Sequence, residues 1–326
     1  MVVKVQVATG LSALVGRFAL WCRVEGKSPR TVDFYEGNLR RFLWYCQKEG
    51  YPQDVQDITP EHLADFFLYV GSAEKRWGIG GNGSERCRPK ASRTTLRHYY
   101  RSLKVFFGWL ARERMLNESP LASFNAPRPD KPLIEPYTED EIRQMLDVCQ
   151  WDWEHSARFL GSRNKAIILV LLDTGVRRSE LEGLRLEDTD LEHGILKVII
   201  GKGGKARRVP ISPPTSLALL RYLGERPDNG QPWLWLTEEG RQLRSADQVN
   251  YNLKARAGVT SSGGMHKWRH TMAISYLRAG GDIESLRVIL GHEDIAMTHR
   301  YLRALKAEDA LRTHARFSPV QALNLK

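Results

Sequence analysis

The sequence predicts a mainly α-helical protein with a small β-sheet in its C-terminal half, and three observations carry that expectation. Apolar residues recur at helical spacing through most of the chain. A proline-rich stretch, Asn117 to Pro136, separates two such regions. Within the second region, two short β-type runs flank a Gly-Lys turn. With 326 residues, 42% of them hydrophobic and 27% charged, the chain is long enough for two globular domains. The expected division is a helical domain over 8–116, a linker over 117–136 and a second domain with a C-terminal tail over 137–326.

In the first region Leu11, Leu14, Val15, Phe18 and Cys22 mark one helical face, Tyr35, Leu39, Phe42, Leu43 and Cys46 a second, and Leu96, Tyr99, Leu103, Phe106 and Leu110 a third. Ser28-Pro29 and Thr59-Pro60 each place a capping hydroxyl before a proline suited to the first helical position. Residues 75–94 differ. They hold the glycine-rich run Gly78 to Gly83 followed by Arg86, Arg88, Lys90 and Arg93, which reads as a solvated loop or as one that orders on phosphate contacts. After the linker, Thr138 and Glu141 have capping-box spacing. Ile195–Ile200 and Arg207–Ile211 read as strands of a hairpin around Gly201–Lys205. Later helical segments are expected near 214–224, 245–256, 266–279, 283–289 and 294–314.

Charge narrows the function classes. Lys plus Arg total 49 against 38 Asp plus Glu, a net +11, which points to a polyanion partner such as nucleic acid or acidic lipid. The basic residues are not gathered on one amphipathic helix, as a membrane-surface protein requires. The longest apolar run, Ala166 to Leu172, is far short of the ~20 residues of a bilayer-spanning helix. Val7 to Gly16 lacks the features of a signal peptide. Cys22, Cys46, Cys87 and Cys149 form no C-x-x-C pair, so neither a metal cluster nor a disulfide framework is suggested, and a reducing cytoplasm is expected. Neither glycine-rich run fits the P-loop pattern, and no G-x-S-x-G elbow or H-E-x-x-H helix occurs.

Four stretches carry candidate chemistry. In Thr174-Gly175-Val176-Arg177-Arg178-Ser179-Glu180-Leu181 an apolar helix breaks at Gly175 and restarts with Arg177 at the head of a new turn. There a guanidinium can fork onto two phosphate oxygens, and Glu180 can orient neighbouring basic groups. The hairpin turn carries Lys202 and Lys205, whose glycines let a lysine tip approach a ligand. His266-Lys267-Trp268-Arg269-His270 places His266 and Arg269 three apart, a phosphate clamp beside a proton-transfer group. Leu290-Gly291-His292 is followed nine residues on by Tyr301. Each alone also fits an ordinary ion pair, solvated turn or packed aromatic. Together they supply every group that metal-free phosphoryl transfer from DNA requires.

In order and spacing, Thr174-Gly-Val-Arg177-x-Ser-Glu-Leu, Gly201-Lys202-Gly-x-Lys-x-Arg-x-Val-Pro-Ile, His266-x-x-Arg269-His and Leu290-Gly-His292 with Tyr301 resemble the tyrosine recombinase (phage integrase) family. The resemblance covers residues 138–305 with specific motifs and 8–116 more loosely. It implies an all-α SAM-like core-binding domain and an α+β catalytic domain. It further implies that Tyr301 attacks a DNA phosphorus, expels the 5′ hydroxyl and forms a 3′-phosphotyrosine bond without ATP, metal or other cofactor. Arg177, Arg269 and His292 would hold the non-bridging oxygens, His266 would accept the tyrosine proton, and Lys202 would protonate the departing oxygen. Lys205, three residues on, is the alternative acid. Glu180 would support the cluster, while Arg178 and His270 are neighbours, His270 as a helix hydrogen bond or packing contact.

The partner implied is double-stranded DNA, gripped by both domains in a C-shaped clamp with phosphate contacts from Arg86, Arg88, Lys90, Arg93, Lys205 and the linker. The resemblance also implies a homotetramer on two DNA sites acting through a Holliday junction; it is compatible with a monomer in free solution, and leaves open whether an accessory directionality factor or second recombinase takes part. A cytoplasmic, nucleoid-associated location follows. Helices beginning near residue 11 suit a two-domain, Xer-like or transposon-type enzyme without an additional arm-site domain. The rival readings are a type IB topoisomerase and a catalytically inactive DNA-binding regulator.

Overall fold

The structure, a computed structural model, describes residues 10–72, 91–128, 135–199, 206–305, 309 and 314. The chain divides into two compact units, residues 1–132 and 133–326.

Among the described residues, the first unit holds four α-helices, α1 (Leu11–Val24), α2 (Pro29–Lys48), α3 (Pro60–Ser72) and α4 (Arg93–Arg112). Pro29 and Pro60 open α2 and α3, and the Ser28 hydroxyl accepts the Thr31 N–H at 3.2 Å. The periodic faces predicted from sequence are buried, except that Leu96 is half-buried. Edge-on ring pairs Phe18–Phe106 (5.4 Å) and Phe42–Phe66 (5.2 Å) tie α1 to α4 and α2 to α3. The buried Asn38 amide donates to Ser102 Oγ at 2.9 Å, so the polar groups between α2 and α4 are partnered. The chain continues on this unit beyond α4. Leu121 is buried, and the Tyr100 hydroxyl donates to the Phe124 carbonyl at 2.9 Å, so the start of the expected linker is packed on the helical core.

The second unit surrounds the apolar helix α6 (Arg158–Thr174) with α5 (Glu139–Glu154), α8 (Pro213–Glu225) and α10 (Met265–Arg278). Thr138 and Glu141 form the capping box that opens α5. Short α7 (Arg178–Glu182) leads into a three-stranded antiparallel sheet, β1 (Thr189–Asp190), β2 (Ile195–Ile199) and β3 (Ala206–Pro210), in the order β1-β2-β3. The hairpin is the one predicted, with Leu196 paired to Val209 and both buried; the two-residue β1 was not anticipated. Its turn, with Lys202 and Lys205, lies outside the described residues, as do Arg86, Arg88 and Lys90 of the basic loop. Arg93 is the exposed first residue of α4.

Helices α9 (Ala246–Arg256), α11 (Ile283–Leu290) and α12 (Ala296–His299) complete the unit. One expectation is corrected here. The single helix predicted over 294–314 is broken: α12 stops at His299, a 3-10 turn spans Leu302–Ala304, and Leu305 is extended. Tyr301 is buried among Met272, Leu286 and Leu290, with Ala304 and Leu305 packed beside it. That packing outweighs the helical propensity of the segment. Asp309 and His314 are again helical. Among the described residues no helix is long and apolar enough to cross a membrane.

Candidate active site

Two helix ends converge where the motifs meet. Helix α6 ends at Gly175 (φ 57°) and α11 at Gly291 (φ 64°), both left-handed. A Cβ at Gly175 would lie 2.7 Å from Leu290 Cδ2, and one at Gly291 would lie 3.0 Å from the Arg207 side chain, so a side chain at either would crowd these neighbours, and the left-handed backbone favours glycine at both. These ends leave carbonyls without helical partners, and cations fill the need. Arg269, 1% exposed, donates to the Gly175 and Leu290 carbonyls, each at 2.7 Å. Arg207 donates through Nε to the Ile289 carbonyl at 2.8 Å.

Glu180 organises the arginines. One oxygen accepts from Arg177 Nη1 at 2.8 Å and the other from the Arg177 backbone N–H at 2.9 Å, while Arg207 forks onto both oxygens at 3.2 and 2.8 Å. Burial alone would raise the Glu180 carboxyl. Hydrogen bonds from Arg207 and Arg177 and the Arg207 charge overcome it and pull the carboxyl down to about 2. Burial and Arg177 draw the Arg269 guanidinium down to about 10, so it remains charged at neutral pH. Arg178, by contrast, turns to Glu182 and Asp247.

The depressed Glu180 carboxyl makes a stability prediction. Removing one partner of a buried, hydrogen-bonded ion pair costs roughly 3–5 kcal/mol. Arg177 is partly exposed, so Glu180→Gln is expected to lose about 3 kcal/mol at neutral pH, read from denaturant midpoints. A carboxyl lowered on folding stabilises above its unfolded value and loses that contribution as pH falls. The gap between wild type and Glu180→Gln should therefore narrow steadily from pH 4.5 toward about 2. A gap independent of pH would contradict it.

The remaining groups lie around Tyr301, itself 1% exposed. His292 is buried, with Nδ1 2.8 Å from the Thr298 hydroxyl and its ring parallel to that of Tyr301 at 6.4 Å. Burial, followed by Arg269, Arg177, Arg300 and Arg207, pushes the His292 imidazole down to about 4, so it is neutral at physiological pH. If the Thr298 hydroxyl donates to Nδ1, the ring proton sits on Nε2, free to donate to an anion. Burial raises the Tyr301 phenol, against the pull of the Arg300, Arg269 and Arg177 charges. The Tyr301 hydroxyl is 3.1 Å from His270 Nδ1. His266 is exposed, with its ring 4.4 Å from that of His270. Desolvation by the groups around the ring, then the charges of Arg269, Arg300 and Arg177, lower its imidazole too.

This arrangement of a tyrosine among arginines and neutral histidines coincides with a family match. Residues 136–308 fit the model of the phage integrase family, and residues 14–116 that of the phage integrase N-terminal SAM-like domain. The chain belongs to the phage integrase family. Among relatives, it is 26% identical to the tyrosine recombinase XerC of Oceanobacillus iheyensis over 94% of this chain and 97% of that protein. It is 32% identical to that of Alcanivorax borkumensis over 66% of this chain and 70% of that protein. Among solved structures, the Tn1549 transposon integrase in complex with a circular intermediate DNA has a TM-score of 0.72 at 18% identity, covering 95% of this chain and all of that one. The XerH site-specific recombinase bound to palindromic difH substrate has a TM-score of 0.68 at 20% identity, covering 94% and 84%. The last two likenesses establish the shared fold.

Within this family fold the structure brings together Arg177, Glu180, His266, Arg269, His292 and Tyr301, and leaves Lys202 and Lys205 outside the described residues. Sequence reasoning missed three participants. Arg207 stands in the Gly-Lys motif, two residues after Lys205, and that place in the motif was the available signal; its contact with Glu180 exists only in the folded chain. Thr298 and Arg300 carried none, because their partners lie in tertiary space. His270, read as a neighbour, touches the tyrosine oxygen directly. Among the described residues no cluster of metal-ligating side chains occurs.

Proposed function

We propose that this protein is a site-specific DNA recombinase that cleaves and rejoins strands through a 3′-phosphotyrosine at Tyr301. The observation that carries this reading is one imbalance of charge. Arg269 and Arg207 hold the helix ends beside His292 and Tyr301, Arg300 lies over the Tyr301 ring at 5.3 Å, and Arg177 joins Arg207 on Glu180, the buried carboxylate that holds two of the four. A site of fixed cations around a phenol is built for an anion, and a phosphodiester approaching its transition state is the anion that a phenol can attack.

In the proposed reaction the Tyr301 oxygen forms a bond to phosphorus as the bond to the 5′ oxygen breaks. Arg177 and Arg269 hold the non-bridging oxygens and the His292 Nε2–H donates to them. The phenol proton passes to His266, and the 5′ oxygen takes one from Lys202. The energy of the phosphodiester is kept in the phosphotyrosine, so reversal on a second strand rejoins DNA. A homotetramer on two sites, resolving a Holliday junction, is the assembly in which such exchange takes place.

Two measurements test this. Duplex affinity should fall with a log–log salt slope of about −0.9 per phosphate neutralised; a salt-independent affinity contradicts the DNA interface. Incubating plasmids that carry two candidate sites should yield recombinant products without ATP or divalent metal. Relaxation without recombinants would replace this reading with a type IB topoisomerase, and binding without cleavage with a regulator.

A further inference from the structure

His270 has no role in the reaction outlined above, yet its two ring nitrogens bridge the nucleophile and a cation. Nδ1 lies 3.1 Å from the Tyr301 hydroxyl, and Nε2 lies 3.3 Å from an Arg300 Nη. A guanidinium has donors only, so Nε2 must be the unprotonated, accepting nitrogen. In a neutral imidazole the single proton then sits on Nδ1, and the contact with Tyr301 is a donation from the histidine to the phenol oxygen. Burial and the facing His266, Arg300 and Arg269 push the His270 ring down to about 3, so the neutral form is the one present at working pH.

We infer that His270, locked by Arg300 as its Nδ1-protonated tautomer, is a further catalytic residue that donates a hydrogen bond to the Tyr301 oxygen, with Arg300 as its positioning residue. The inference rests on the reading of Tyr301 as nucleophile. A donor aimed at the phenol oxygen favours the phenolate over the phenol and fixes where the attacking lone pair points. With Nδ1 as the donor, the phenol's own proton is turned away from His270. That proton leaves toward a different acceptor, His266 in the proposed reaction, and His270 is not the base. The Arg300 guanidinium also lies over the Tyr301 ring at 5.3 Å, so one side chain orients both partners of the hydrogen bond.

The test has two parts. In the full-length protein without DNA, 15N-histidine spectra report which ring nitrogen carries the proton, and the His270 signals are those lost in His270→Phe. Neutral His270 should be protonated on Nδ1, and Arg300→Met should switch it to Nε2. An Nε2-protonated ring in the wild type overturns the inference. The second part is single-turnover cleavage of a nicked duplex, with the wild-type adduct and Tyr301→Phe as controls. His270→Phe, which keeps an aromatic ring, should cleave about 10²-fold more slowly, in line with loss of one preorganised donor. The pH at which its rate levels should shift upward. His270→Asn, which retains a donor near Nδ1, should recover at least part of the rate. A loss of rate with no shift in the pH profile and no rescue by Asn would make His270 a packing residue and overturn the inference. Should Tyr301→Phe still form an adduct, the nucleophile reading fails instead, while the tautomer measurement stands.

Discussion

Tyr301→Phe is expected to abolish covalent attachment to DNA, with cleavage below detection, while the protein folds and binds duplex DNA within about threefold of wild type. The substitution removes one oxygen and nothing else. The ring remains packed among Met272, Leu286 and Leu290, so the apolar contribution of this buried side chain persists. The group that loses a partner is His270 Nδ1, and Arg269 keeps its bonds to the Gly175 and Leu290 carbonyls. Folding and binding are read from circular dichroism and a filter or gel titration. A residual cleavage rate above that of buffer would identify a different nucleophile.

Arg269→Lys should slow strand cleavage by about 10³-fold with duplex affinity nearly unchanged, the upper range for removal of one preorganised donor. The exchange preserves the formal charge, yet lysine cannot fork onto two oxygens while also holding two carbonyls. Burial and the neighbouring Arg177 already draw the arginine down to about 10. A lysine begins lower, and the same surroundings would draw it further toward neutrality, so charge as well as geometry is lost. Single-turnover rates across pH measure this. A variant that cleaves within tenfold of wild type would show that Arg269 is a scaffold for the Gly175 and Leu290 helix ends and not a clamp on phosphate.

The fold class was legible because its signals are local. Helical periodicity, the proline openings of α2 and α3, the capping box at Thr138 and the Gly-Lys hairpin all lie within a few residues of the structure they direct. The break after α12 was not legible. Its cause is the burial of Tyr301 against α10 and α11, a contact between segments distant in sequence. The same distinction runs through the site. Arg177, Glu180, Arg269, His292 and Tyr301 could be singled out because their motifs have fixed spacing. What turns them into a site is not in the spacing: Arg207 on Glu180, Thr298 on His292, and Arg300 on His270. His270 shows the limit most clearly. Next to Arg269 in sequence, it reads as a packing residue, and its contact with a hydroxyl 31 positions away exists only in the folded chain.

The most direct test of the central claim is to trap the protein on a nicked duplex carrying its site, without metal or ATP, digest the denatured adduct, and identify by mass spectrometry which peptide carries the nucleotide and through which end. The account predicts a single modified peptide containing Tyr301, joined to the 3′ phosphate of the cleaved strand. A nucleotide on any other residue, or a 5′-phosphate linkage at Tyr301, would contradict it.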